Sequence, residues 1–230
     1  PLPFISHICY FAPMQKERLE KLYHSHHVKG ARYGYLFCHG KRIPYLKQWV
    51  GKGKKVLDLG CRDGMLTAGY VEENDILGVD IDQQALQKAG QQLGIKTAWL
   101  DLNSEWPWES ASFDRIVACE ILEHLFLIED VLQKVHRTLK KGGLFIGSVP
   151  NAFRLRNRWK FLTGHEYDTD ATHVRQFSYD KLERMLRTHF SEVTIIPLEG
   201  KICPFLSVGP KTPKRIGQLF AKDLLWKAVK

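Results

Sequence analysis

The densest chemistry in the chain is Glu120-x-x-Glu123-His124, two carboxylates and an imidazole within five residues. On a helix, spacings of three and four place all three on one face. Such a set can hold a divalent ion, or it can orient a histidine as a general base. A second feature is Gly60-Cys61-Arg62-Asp63-Gly64, directly after the apolar run Lys55 to Leu59. Glycine there lets the backbone pass close to a ligand, and a following helix start offers free N–H groups. Positions 62 and 65 are Arg and Met, so the dinucleotide fingerprint is not met, and no G-K-[ST] follows. Asp80 closes another apolar run, Ile76 to Asp80, where a carboxylate needs a partner. Between Phe153 and Phe161, Arg154, Arg156 and Arg158 interleave with aromatics. That pattern suits an anionic sugar, a nucleic-acid backbone or a lipid headgroup. The run His24-Ser25-His26-His27 has no acidic or cysteine companion in sequence and reads as a solvated surface tract.

The elements that must carry these residues alternate. Lys55–Leu59, Ile76–Asp80, Ile95–Leu100, Phe113–Cys119 and Gly143–Val149 read as strands. Met65–Glu73, Gln83–Leu93 and the residues from Cys119 to about Leu139 read as helices between them. Strands alternating with helices of this length mean βαβ units and a parallel sheet, wound on both faces by right-handed crossovers. Ser178–Phe190 is an amphipathic helix with Ser178 as its cap, and Glu192–Leu198 is a late strand. Residues 14–27 and 41–49 read as short helices, and 213–230 shows apolar residues at helical spacing among lysines. The organisation expected is an N-terminal helical cap over 1–50, one domain over 51–208 with an insertion at 151–175, and a basic amphipathic tail over 209–230.

With 230 residues, 44% hydrophobic and 26% charged, the composition excludes collagen-like, low-complexity and disordered classes. No apolar run reaches the length of a membrane span. Residues 1–9 show no secretory signal pattern, and the start at Pro1 fits a piece of a longer chain. Five scattered cysteines without CxxC argue against a disulfide scaffold or zinc finger, so a cytoplasmic setting is expected. The net charge of +9 divides into +8 over residues 1–54, −6 over 55–150 and +7 over 151–230. Two basic flanks folded over one face would attract an anion.

VLDLGCRDG, GVDID, WLDLN, FDRIVACEILEHL and LKKGGLFIGSVPN occur in that order, and HVRQF follows from His173. In these segments, over about residues 50–200, the chain resembles the class I S-adenosylmethionine-dependent methyltransferases. It is most similar to the group containing the ubiquinone-biosynthesis and small-molecule and sugar O-methyltransferases. The resemblance implies a doubly wound, mostly parallel seven-stranded α/β sheet. It implies S-adenosylmethionine held by Asp58, Gly60, Gly64, Asp80, Ile81, Asp101, Leu102, Cys119 and Glu120. It implies that an N-terminal segment containing Arg32, Tyr33 and Tyr35 closes over that site. His124 and His173 are the candidate bases. A metal-dependent variant would use Glu120, Glu123, His124 and His173, since E-x-x-E-H supplies metal ligands in some relatives. The family's middle glycine is Arg62 here, at a turn where a side chain either crowds the cofactor or points away.

The expected activity is O-methylation of a small or medium-sized acceptor, such as a saccharide, a phenolic or a lipid-linked intermediate. Arg154, Arg156 and Arg158 are candidates for binding an anionic part of it. Three alternatives stay open: an RNA 2′-O-methyltransferase, a membrane-associated quinone-type enzyme, and a non-catalytic binding protein. The acceptor and the oligomeric state are not legible in the sequence.

Overall fold

Along each central strand, neighbouring side chains point to opposite faces, and here both are apolar. Leu57, Ile116, Phe145, Leu224 and Trp226 join one buried cluster, whereas Val56, Val117, Ile146 and Leu225 join another. A sheet apolar on both faces must be covered on both. The computed structural model, which describes residues 8–30, 33–34, 39–168, 170–203 and 205–230, shows how. Helix α1 (Ile8–Lys29) and helix α2 (His39–Val50) precede strand β1 (Lys55–Leu59). Then come β2 (Asp75–Asp80), α3 (Gln83–Leu93), β3 (Lys96–Trp99), β4 (Phe113–Cys119), α4 (Ile128–Thr138) and β5 (Leu139–Pro150). The chain continues through α5 (Leu155–Leu162), α6 (Tyr179–His189), β6 (Val193–Leu198) and a small hairpin, β7 (Lys201–Cys203) with β8 (Leu206–Ser207). It ends with α7 (Lys214–Phe220) and β9 (Asp223–Val229).

The seven-stranded sheet runs β3-β2-β1-β4-β5-β9-β6. The first five strands in that order pair in parallel, and β9 is antiparallel to both β5 and β6. This is the doubly wound, mostly parallel α/β sheet expected. The order reverses at β1 and β4, and in such sheets ligands bind outside the carboxyl ends of the strands at that switch point. On one face α4 and α6 supply Val131, Leu132, Val135, Leu182 and Leu186; on the other α2 supplies Leu46, Trp49 and Val50.

Three local expectations are corrected. Met65–Glu73 is not a helix but turns around a 3-10 turn at Thr67–Gly69, because Thr67 and Tyr70 are drawn inward to the carboxylate of Asp58. The segment 209–230 is not an amphipathic tail. Its Leu224, Leu225 and Trp226 are fully buried in β9, between β5 and β6, so residues 223–229 belong to the sheet itself. The helical spacing holds over Ile216, Leu219 and Phe220, which lie on α7, and is only apparent over Leu224 and Leu225, in a strand apolar on both sides. Gly147 on β5 makes room for Trp226, since a Cβ there would lie 2.4 Å from the indole ring. Finally, residues 1–50 are more than a cap, because α2 is part of the core.

Candidate active site

The carboxyl ends of β1, β2 and β4 open into a cavity of about 650 Å³, within the ~300–1,000 Å³ usual for small-ligand sites. Gly60, Asp80, Ile81, Asp101, Leu102, Cys119 and Glu120 line it, together with Arg62, Glu123, His124 and His173. Sequence-expected residues from Gly60 to His173, 113 positions apart, are thus brought around one space. Gly60 has φ +71, and a Cβ there would lie 1.9 Å from the Ile121 methyl, so only glycine leaves this wall clear. Arg62 takes the left-handed conformation at φ +51, as a glycine would, and its guanidinium turns onto Asp63 at 2.9 Å. Asp80 accepts the Arg62 N–H and the Asp82 N–H, each at 2.9 Å. Burial pushes its carboxyl upward despite those donors.

Two expected cofactor residues do not reach the cavity. Asp58 is buried and turned onto Thr67 Oγ1 (2.6 Å) and Tyr70 OH (2.8 Å), which donate to it. Burial outweighs these bonds and pushes its carboxyl up to about 6. Asp58 therefore braces the turn after β1. Gly64 packs against α3, where a Cβ would meet the Leu93 side chain at 2.7 Å. Arg154, Arg156 and Arg158 do not line the cavity either. They lie at the start of α5, where Arg158 Nε donates to the Phe153 carbonyl and Arg154 Nε to Asn157. Cys119 lines the cavity, and burial pushes its thiol well up, which disfavours the thiolate.

The E-x-x-E-H residues do not share a helix face, contrary to the spacing. Glu120 sits at φ +56 just after β4, and Leu122–His124 is a 3-10 turn. Glu120 accepts from Ser148 Oγ at 3.0 Å, and its Oε1 lies 2.7 Å from Arg42 Nη2. Glu123 instead meets His124 and His173, with one ligand atom from each lying within 4.8 Å of the others. So three of the four expected ligands converge and Glu120 is diverted to Arg42. Glu123 is 2% exposed, and neither carboxylate oxygen has a hydrogen-bond partner among the described residues. Burial and the nearby charge of Glu120 push its carboxyl well up. His124 Nδ1 lies 3.1 Å from the Thr172 carbonyl, which can only accept. The proton is therefore on Nδ1, and Nε2 carries the lone pair. Burial, with His173 beside it, pulls His124 down to about 4, so it is neutral at pH 7. His173 Nδ1 donates to Asp168 at 2.9 Å.

An N-terminal segment over the site was expected through Arg32, Tyr33 and Tyr35, but the sequence did not point to Arg42 or to the residues of α1. Arg42 on α2 is 2% exposed and also donates to Asp223 Oδ2 at 2.6 Å. Its burial opposes charge, but Glu120 and Asp223 outweigh that and hold it protonated. Helix α1 roofs the cavity: Tyr23, His26 and His27 line it, and the Tyr23 ring meets His124 edge-on. The histidine run is therefore not a solvated tract. His27 Nδ1 and Tyr33 OH lie 2.8 and 2.6 Å from Oδ2 of the fully buried Asp82, whose Oδ1 caps α3. Burial would raise Asp82, but these bonds win and hold it below the usual carboxylate range. His26 lies 3.5 Å from Asp170, which tethers the roof to the loop before His173. Arg32 and Tyr35 lie outside the described residues.

The sheet order, the glycine turn and the acidic strand ends define an S-adenosylmethionine-binding methyltransferase fold. The family description "Methyltransferase domain" matches residues 31–189, and the chain belongs to that family. Among curated relatives, it is 31% identical over 121 residues to a ubiquinone biosynthesis O-methyltransferase of Alkalilimnicola ehrlichii, covering 48% of each chain. It is 33% identical over 101 residues to a ribosomal protein L11 methyltransferase of Thermotoga petrophila, covering 40% of this chain and 37% of that one. The matches thus span about half or less of these relatives' length. An S-adenosylmethionine-dependent methyltransferase structure from Thermotoga maritima superposes with a TM-score of 0.70 at 17% identity, over 90% of this chain and 97% of that one. That likeness is one of fold.

Proposed function

We propose that the enzyme methylates a hydroxyl oxygen of a small or medium-sized acceptor, and that Glu123, His124 and His173 handle the hydroxyl proton. The observation that carries this reading is the cluster itself. It is a buried carboxyl group without a hydrogen-bond partner among the described residues, beside an imidazole whose Nε2 carries the lone pair. An oxygen acceptor needs such help; a neutral amine does not.

The cavity fits S-adenosylmethionine. Asp80 ends β2 and Asp101 lies just past the end of the adjacent β3, as hydrogen-bond acceptors for ribose hydroxyls and the adenine amino group respectively. Ile81 and Leu102 offer apolar contact, and Gly60, Cys119 and Glu120 lie toward the methionine end. When bound, the cofactor supplies an electrophilic methyl on a sulfonium. The chain supplies alignment and a proton acceptor. His124 Nε2 takes the hydroxyl proton, while the Thr172 carbonyl holds the ring in the required tautomer. The roof of α1 excludes water from this step.

The same three residues suit a divalent ion, with one oxygen and two nitrogen ligands and His173 oriented by Asp168. The unpartnered Glu123 carboxylate favours this second reading, in which the ion lowers the hydroxyl's proton affinity. One experiment separates them. The enzyme is given S-adenosylmethionine and a panel of phenols, catechols, saccharides and lipid-linked hydroxyl compounds, before and after chelation. Methyl on oxygen is expected. Loss of turnover on chelation, restored by Mn²⁺, Mg²⁺ or Zn²⁺, assigns the ion; unchanged turnover assigns His124 as the base. Methyl found only on nitrogen or carbon contradicts the O-methyltransferase reading.

A further inference from the structure

Helix α5 is inside out. A surface helix ordinarily turns its apolar stripe to the core. Here the buried residue is the polar Asn157, 9% exposed, whose Nδ2 donates to the Ala152 carbonyl and whose Oδ1 accepts from Arg154. The apolar residues face water: Leu155 is 48%, Trp159 67%, Phe161 71% and Leu162 76% exposed. Leu155, Trp159 and Leu162, at spacings of four and three, form one stripe.

The neighbouring elements repeat the pattern. Helix α5 packs on α7, and α7 on strand β7. Asn151 ties the start of this region to α7 by donating to the Gln218 and Ala221 carbonyls. The turn of the β7–β8 hairpin presents Phe205, 99% exposed, next to Leu206 at 55%. Around these apolar groups basic residues prevail, although Lys214 is paired with Asp180 and Glu183 of α6 at 3.1 and 2.7 Å. Residues 151–165 carry Arg154, Arg156, Arg158 and Lys160, residues 200–221 carry Lys201, Lys211, Lys214 and Arg215, and neither segment contains Asp or Glu. The +7 of the C-terminal third is concentrated where the exposed apolar side chains are.

We propose that α5, α7 and the β7–β8 hairpin form a docking surface for an anionic lipid bilayer. Trp159, Phe161, Leu162 and Phe205 enter the interface, and the flanking lysines and arginines meet the headgroups. Aromatic and leucine side chains bordered by basic residues are what such an interface takes up. The charge is complementary to an anionic leaflet. Single-stranded RNA would be served by the arginines and aromatics, but the aliphatic Leu155, Leu162, Leu206 and Ile216 offer bases nothing to stack on. The surface also adjoins the site: Phe153, just before α5, shares a shallow depression with His173, which lines the main cavity.

The test is co-sedimentation of the full chain with vesicles of phosphatidylcholine alone or mixed with phosphatidylglycerol. Wild type should bind the mixed vesicles, and binding should weaken with salt. Trp159→Gln/Phe161→Gln/Phe205→Ser should weaken it on the order of a hundredfold, since three large side chains lose their burial. Arg156→Gln/Lys211→Gln/Arg215→Gln should weaken it by a similar factor, at about fivefold per charge. All six positions are exposed, so both variants should keep wild-type melting and S-adenosylhomocysteine affinity. No binding by wild type at low salt, or unchanged binding by the apolar triple variant, overturns the proposal. So does RNA binding that the basic triple variant loses while vesicles are ignored.

Discussion

Arg42→Ala should cost about 3–5 kcal/mol of folding stability, measured by urea unfolding. The guanidinium is 2% exposed and lies between two carboxylates, Glu120 Oε1 at 2.7 Å and Asp223 Oδ2 at 2.6 Å. Asp223 is fully buried, and burial pushes it up to about 7 even with Arg42 present. Without the cation, two negative groups remain with Glu123 close by, and each must take up a proton or draw in water. The pair also ties α2 to the first residue of β9, so the N-terminal segment and the last strand loosen together. Against a typical total of about 5–15 kcal/mol, such a loss leaves the fold marginal. Arg42→Lys should recover only part, because an ammonium lacks the planar fork that reaches both carboxylates. A loss below about 1 kcal/mol for Arg42→Ala would show that this network is not what holds the two segments.

The second large effect is on turnover. With any acceptor that the wild type methylates, His124→Ala should lower kcat by about 10²–10⁴. The loss is expected whether His124 takes the proton or ligates an ion, because both use Nε2. Affinity for S-adenosylhomocysteine should change by no more than a few-fold, which separates loss of chemistry from loss of the site. His173→Ala should fall in the same range if the two rings act together; their centroids are 4.8 Å apart. A His124→Ala enzyme within about threefold of wild type would remove the cluster from the mechanism.

Legibility in the sequence followed the range of the interactions. Strands β1 to β5 and helix α3 were readable because apolar runs, glycine turns and helical periodicity act within a few residues. The cavity residues Gly60, Asp80, Ile81, Asp101, Leu102, Cys119 and Glu120 were expected through the family resemblance, which rests on short motifs at the strand ends. The helix expected after Gly64 failed because Asp58, Thr67 and Tyr70 satisfy one another. The shared helix face expected for Glu120, Glu123 and His124 failed because Glu120 takes φ +56 and turns to a residue 78 positions earlier. The pairing of Arg42 with Asp223 spans 181 positions. The anchoring of His27 on Asp82 spans 55. No spacing rule reaches so far. The inversion of α5 was equally hidden, since periodicity identifies an apolar stripe but not the direction in which it points.

The central claim is that the cavity at the ends of β1, β2 and β4 is the S-adenosylmethionine site. Titration calorimetry with S-adenosylhomocysteine tests it without knowledge of the acceptor. Wild type should bind one equivalent, and Asp80→Ala, with folding verified by circular dichroism, should bind about tenfold to a hundredfold more weakly. That factor reflects ribose hydroxyls left without their acceptor, about 1–3 kcal/mol. Absence of binding by wild type, or unchanged affinity in a folded Asp80→Ala, would contradict the account.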